Sequence, residues 1–229
     1  MPRYDVSLEI EMESALCAGA LADALRIGVD RMTARTSNGA LIIPASTLKG
    51  KIRYECERIL RALNPDLICR PPQPDSTCPR YWRRVDPPRG DSLCPVCEIF
   101  GGIGHPSLFY FSDAKVEMGK SLGPGLDSAI RPGVSISRRR RAAESERLYF
   151  METSLPNAGF IFKAEMKGLL PSRKHLALVI AGLRSLIAFG GGRSRGLGWF
   201  RVRRVDVRED GNTIPLETVD RETEEFERW

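Results

Sequence analysis

Histidine is almost missing from this chain: there are two, His105 and His175, in 229 residues. Catalysis that needs histidine as a base, or to activate a nucleophile, has little to draw on. Long apolar runs are missing too, and none approaches the roughly 20 residues that a helix needs to cross a bilayer. The opening MPRYDVSLEI has neither the basic segment nor the apolar core of a signal peptide, so a cytoplasmic protein with no membrane partner is expected. No G-K-[ST] follows the glycine-rich stretch, which argues against a Walker loop. Neither S-D-N nor K-T-G accompanies Ser46-x-x-Lys49, which removes the serine acyl-enzyme that this spacing first suggests. Internal repeats are absent, and the only biased tract is Arg138-Arg139-Arg140-Arg141.

What the chain does have is positive charge. The formal net charge is +6, although the last fifteen residues (PLETVDRETEEFERW) are acidic, so the body is more basic than the total. Arginine outnumbers lysine, and its planar fork suits bidentate phosphate contacts and stacking on bases. Nucleic acid is therefore the first partner to consider.

The order of elements reads β-α-β-β-α-β with long insertions. Val6, Leu8, Ile10 and Met12 alternate with Asp5, Ser7, Glu9 and Glu11, the period of a half-buried antiparallel strand. Residues 13–45 show no sustained period and read as a loop. From Ser46 the apolar period becomes helical through Leu48, Ile52, Cys56, Ile59, Leu60 and Leu63, and Asn64-Pro65 stops it. Residues 64–107 fit no regular element, and a stretch of that length needs another source of order. Residues 108–118 read as a strand, 119–147 as polar and irregular, and 148–168 as strand, strongest at Phe160, Phe162, Ala164 and Met166. A second helix opens at Pro171-Ser172, carries Leu176, Val179, Ile180, Leu183, Leu186 and Ile187, and runs to Gly190-Gly191-Gly192. Trp199 to Val207 is the last strand, and an acidic tail occupies 210–229. This is the ferredoxin-like, RRM-type arrangement of one α+β domain spanning 1–229.

Six cysteines in a chain with no export signal point away from disulfides. Four of them, Cys69, Cys78, Cys94 and Cys97, fall in the stretch that lacks other order. Cys94-Pro-Val-Cys97 is a C-x-x-C knuckle. Four thiolates would hold a structural Zn²⁺. The Cys69-x8-Cys78 spacing is not that of a knuckle, which leaves His105 open as a replacement for one of the two.

Gly190 to Gly198 (GGGRSRGLG) follows a helix and precedes a strand, the reverse of a phosphate-binding turn. Its open backbone, with Gly191, Gly192, Arg193, Ser194 and Arg195, can still track a polyphosphate closely. At the first helix, Ser46 or Thr47 stands where an N-cap belongs. Lys49, Lys51 and Arg53 follow in its first turns, where cations oppose the helix dipole unless a phosphate lies against them. Arg138 and Arg139 lie in an irregular insertion and suit an arm on a nucleic-acid strand. Asp23 and Asp30 stand among basic surroundings in the first loop and are the candidate catalytic carboxylates.

Ile43-Pro44-x-Ser46-x-Leu48-Lys49-Gly50-x-x-Arg53 resembles the I-P-G-S-S-L-K-G-x-x-R signature of the RAMP superfamily of CRISPR proteins. Cys94-x-x-Cys97-x-x-Phe100-Gly101 resembles the metal-binding motif of its type III backbone subunits. Gly191-Gly-x-Ser194-Arg195-Gly196-Leu197-Gly198 resembles the family's C-terminal glycine loop. The resemblance implies a subunit that stacks with copies of itself and other effector subunits along a CRISPR RNA and presents that guide to target RNA. It implies a first-loop aspartate that cuts paired target RNA at six-nucleotide intervals with Mg²⁺ or a similar cation. Asp23 matches that position best, and Asp30 matches a second acidic position. A thumb-like hairpin, here 119–147, would displace a base at each interval. The match departs from the family pattern at Ala45, at Ile136-Ser137-Arg138 and at Cys17-Ala18-Gly19. A non-catalytic guide-binding subunit is the other reading.

Overall fold

The computed structural model describes residues 1–19, 28–86, 88, 90–116, 126–156 and 159–229. Its centre is an antiparallel sheet. β1 (Arg3–Met12) lies between β7 (Ile161–Leu169) and β8 (Phe200–Glu209). β7 pairs along its other edge with the short strands β3 (Phe109–Phe111) and β4 (Ala114–Val116). β2 (Ile42–Ile43) extends the sheet beyond β4, and β9 (Asn212–Ile214) extends it beyond β8. The order β2-β4-β7-β1-β8-β9 makes a mixed α/β architecture, all of whose strand pairings are antiparallel.

The expected alternation sets the register. Val6 faces Met166 and Val207, and Leu8 faces Ala164 and Val205. Slipping by one residue would turn Asp5, Ser7 and Glu9 inward, so the pairing is strongly specified. On the apolar face lie α1 (Ala45–Leu63) and α4 (Arg173–Arg184). They bury Leu48, Ile52, Cys56 and Leu60 from α1, and Leu176, Val179, Ile180 and Leu183 from α4. The opposite face carries Lys163, Glu165 and Lys167, all exposed.

Several expectations change. α4 stops at Arg184, because Ser185 closes the last turn and Ala188 then pairs with Trp199 on the way to β8. Ile187, read as part of the helix stripe, is 69% exposed in that connection. The stretch 64–107 is not featureless. It holds two one-and-a-half-turn helices, α2 (Arg80–Val85) and α3 (Pro95–Phe100), with short 3₁₀ turns before them. The end of the chain packs back on the core through α5 (Leu216–Arg221) and a 3₁₀ turn that buries Phe226.

The largest difference is at the stretch expected to be irregular. Ser128–Ser137 (β5) and Ala142–Ser154 (β6) form a separate two-stranded hairpin that runs well past residue 147. Pro132 and Gly133 mask β5 in the sequence. In the hairpin Gly133 faces Tyr149, and a Cβ at Gly133 would meet the Tyr149 ring at 2.3 Å. The aromatic ring covers the glycine, which offsets its poor strand propensity.

Candidate metal centre and nucleic-acid interface

The sulfurs of Cys69, Cys78, Cys94 and Cys97 all lie within 4.8 Å of one another, and all four residues are buried. Cys69 Sγ is 3.7 Å from Cys97 Sγ and 3.8 Å from Cys94 Sγ. Four sulfurs at Zn–S bonds of ~2.3 Å in a tetrahedron stand ~3.8 Å apart. The donor set therefore fits Zn²⁺ in size as well as chemistry. Thiols of Cys78, Cys94 and Cys97 donating to Cys69 hold its thiol far below the usual range, and Cys69 in turn pushes Cys97 far up. His105 is not in this group. It pairs through its backbone with Gly102, so the replacement ligand is not needed.

α1 does not begin as expected. Pro44 occupies the N-cap, and no side chain of the helix start caps it. Ser46 lies one residue inside the helix and is exposed. The leading amide, Ala45 N–H, donates instead to Asp113 Oδ1 at 2.7 Å. A carboxylate from the loop before β4 thus meets the positive end of the helix. No motif in the sequence announces Asp113.

The three cations in the first turns of α1, Lys49, Lys51 and Arg53, divide into two uses. Burial, and then the Arg53 guanidinium, hold the Lys49 ammonium below its ordinary range. Burial, and then Arg193 of the glycine-rich loop, do the same to Lys51. An anion between Lys51 and Arg193 would reverse that repulsion. Arg53 is turned the other way. Its Nη1 donates to Gly101 O at 3.1 Å, its Nη2 points to Cys97 Sγ at 3.8 Å, and its Nε donates to Glu57 at 3.0 Å. Arg53, expected on a phosphate, lies here against Glu57, Gly101 and Cys97.

The glycine-rich loop is less open than expected. Gly191 N–H donates to Cys17 O, and Gly198 N–H to Ala15 O, both at 2.8 Å. A Cβ at Gly190 would stand 2.1 Å from Cys17 O, and one at Gly198 would stand 1.9 Å from Phe189 O. Both have positive φ, +74° and +76°. These glycines let the loop press on residues 15–17; their amides are spent there. Gly198→Ala is expected to cost about 3 kcal/mol, from the left-handed φ and the backbone clash together. Thermal melting would show a drop of roughly 6–12 °C; an unchanged midpoint would contradict the packing described.

What the loop offers outward is side chains. Arg193, Ser194 and Arg195 are exposed. Arg195 lies over the Tyr149 ring, 5.7 Å from its centroid, and hydrogen-bonds its hydroxyl, which joins the loop to the hairpin base. Tyr149 was not singled out in the sequence, and neither was Arg31. With Asp30, Arg147 and Arg195 these two line a cleft of about 470 Å³.

Asp23 lies outside the described residues. Asp30 is exposed at the hairpin base, and its Oδ2 accepts the Phe150 N–H at 2.7 Å. Asp30 N–H returns the bond to Phe150 O at 2.9 Å. Arg138 and Arg139 are exposed in the turn between β5 and β6. With strands of this length the turn lies on the order of 30 Å from the base. The structure thus sets Asp30 and Arg195 on one cleft but leaves the arginine run apart. Among the described residues no helix is long and apolar enough to cross a membrane.

A model of the RAMP superfamily matches residues 10–201. No curated protein matches the chain in sequence. A chain of the cryo-EM structure of the Type III-B Cmr-beta bound to cognate target RNA superposes with a TM-score of 0.57 at 13% identity, a likeness of fold. The match covers 91% of this chain and 62% of that one, so this chain spans less than two thirds of its structural neighbour.

Proposed function

Because the chain belongs to the RAMP superfamily, we propose that it is a subunit of a cytoplasmic type III CRISPR effector that binds CRISPR RNA and cleaves paired target RNA. In this reading the sheet order β8-β1-β7-β4, with α1 and α4 on one face, is a single ferredoxin-like, RRM-type domain. The hairpin Ser128–Ser154 is its thumb. Zn²⁺ on Cys69, Cys78, Cys94 and Cys97 is structural, since protein fills all four positions. Other effector subunits, copies of this chain among them, complete the guide-binding surface.

The observation that carries the RNA-binding reading is the exposed Arg193, Ser194 and Arg195 of the glycine-rich loop, with Arg195 joined to Tyr149 at the hairpin. Burial, and then the charge of Arg193 in that loop, also hold down the Lys51 ammonium of α1. Such a pair is stabilised when a phosphate lies between. Ser46, Lys49, Ser194 and Arg195 extend the same surface along a strand, and Gly191 and Gly192 let it come close. Arg138 and Arg139, on the hairpin turn, contact RNA farther out.

Cleavage would proceed by attack of a ribose 2′-hydroxyl on the adjacent phosphate, forming a 2′,3′-cyclic phosphate as the bond to the 5′-oxygen breaks and that oxygen takes a proton from water. Holding hydroxyl and phosphorus in line supplies much of the rate. Asp23 is the proposed base or positioning carboxylate. Among the described residues no set of three or more carboxylates gathers for a divalent cation. Mg²⁺ would lean largely on RNA phosphates and water, and its charge would offset that of the reacting phosphate.

Two measurements test the proposal. Guide RNA affinity in rising salt should give a slope that falls by about 2 in a Lys49→Ala, Lys51→Ala, Arg193→Ala variant, at about 0.7 per phosphate contact. An unchanged slope would remove this surface from the interface. The assembled complex with guide, complementary RNA and Mg²⁺ should release fragments at regular intervals. Intact target would favour the second reading, a guide-binding subunit that does not cut. The occupation of the Asp30 carboxylate by the Phe150 amide is the observation on that side.

A further inference from the structure

Three charged side chains that the proposed chemistry does not use lie together under the hairpin. The Arg35 guanidinium reaches Asp127 Oδ1 at 2.8 Å and Glu152 Oε1 at 3.2 Å, with both carboxylates only 1% exposed. Ser128 Oγ donates to Glu152 Oε1 at 2.7 Å, and Thr33 N–H donates to Oε2 at 3.4 Å. Arg35 Nη1 also donates to Gly39 O at 2.8 Å.

Burying such a cluster brings little net stability, because desolvation offsets the attraction between charges. Its effect is on geometry. Arg35 and Thr33 belong to the outgoing half of the first loop. Asp127, Ser128 and Glu152 belong to the hairpin base. The backbone continues the seam: Asp30 and Arg31 N–H donate to Phe150 O at 2.9 and 3.2 Å, and Glu152 N–H donates to Arg31 O at 2.8 Å. Ser154 N–H donates to Leu16 O at 2.8 Å, and the Thr33 hydroxyl donates to Glu152 O at 3.1 Å.

We infer that Arg35, paired with Asp127 and Glu152, is a positioning residue that locks residues 30–35 of the first loop to the base of the hairpin. RNA that engages the hairpin then finds residues 30–35 in one fixed place, and that segment and the hairpin base move as one body. The inference rests on the cleavage reading above. Arg35 does not touch RNA in this account; it acts through the segment it holds.

The test uses the assembled complex with guide and paired target, in Glu152→Gln and Arg35→Lys. Glu152→Gln keeps the volume and an acceptor for Ser128 but removes one of the two charge partners of Arg35, leaving Asp127. It is expected to leave guide affinity and target KM within about twofold and to lower kcat about 10- to 100-fold, the effect of misplacement near 1 Å. Amide exchange at residues 30–35 and 150–154 should rise together. Arg35→Lys keeps the charge and should recover most of the rate. An unchanged kcat with raised exchange would overturn the inference, as would exchange that rises in one segment alone. A wild-type complex that cuts nothing would refute the cleavage reading instead. Exchange would then decide the lock by itself, joint loosening supporting it and independent loosening refuting it.

Discussion

Asp23→Ala is expected to slow cutting of paired target RNA by about 10²–10⁴-fold, the range for loss of a positioned acid–base group, with guide affinity unchanged. Asp30→Asn is expected to cut near the wild-type rate. The contrast follows from what Asp30 does. Its Oδ2 accepts the Phe150 amide at 2.7 Å, and its own amide returns the bond to the same residue. That reciprocal pair fixes the loop to the hairpin base, and asparagine supplies the same acceptor. Asp30→Ala removes a hydrogen bond to a charged group, about 1.5–3 kcal/mol, and should loosen the loop and reduce cutting moderately. Single-turnover cleavage of all three variants separates the roles. If Asp30→Asn is as slow as Asp30→Ala, the Asp30 charge carries the chemistry and Asp23 does not. If Asp23→Ala cuts normally, the resemblance has been carried to the wrong residue.

Where alternation or helical period was strong, sequence and structure agree. β1 pairs in the register that Val6, Leu8 and Ile10 require. α1 buries Leu48, Ile52, Cys56 and Leu60 and ends before Pro65, as their spacing predicts. The resemblance placed a hairpin at 119–147, but its strands, Ser128–Ser137 and Ala142–Ser154, were not legible in the residue pattern. Pro132 and Gly133 break the strand signal locally, and what restores it is Tyr149, placed opposite by the fold. The end of α4 was misplaced because Leu186 and Ile187 continue its period, while pairing of Ala188 with Trp199 takes over from the helix.

The site shows the same division. The motifs marked the right stretches, but a motif does not tell which way a side chain turns. Arg53 has the spacing of a phosphate ligand, yet Cys97 and Gly101 lie across from it and draw it inward. Ser46 has the chemistry of a cap, yet Asp113 meets the helix first. The glycine loop looked like free backbone. Gly191 and Gly198 instead spend their amides on Cys17 and Ala15. Arg35, Asp127 and Glu152 have no local signature, because their meaning lies only in their contact.

Cys97→Ser is expected to abolish Zn²⁺ binding and to unfold the insertion between α1 and β3. The argument is one of order. α2 and α3 have six residues each, far below the roughly 12–15 at which an isolated helix becomes even marginal in water. They are held by the packing of Leu67, Ile68, Tyr81, Trp82, Val96, Ile99 and Phe100 on the core, and by the four sulfurs. Without a metal those sulfurs are joined only by weak thiol contacts at 3.7–3.8 Å. With it, binding free energy becomes folding free energy, about 10–16 kcal/mol in zinc-finger peptides. Elemental analysis should give one zinc per chain in the wild type and close to none in the variant. Limited proteolysis should cut the variant within 64–107, and a strong chelator should open the same sites in the wild type. Arg53→Met offers a milder version. It keeps all four thiols but removes the guanidinium beside Cys97 Sγ and Gly101 O. It should bind one zinc and lose it to chelator about 10- to 100-fold more readily, as for other partners just outside a metal's ligands. A Cys97→Ser protein with full zinc content, or one as protease-resistant as the wild type, would show that packing alone orders the insertion.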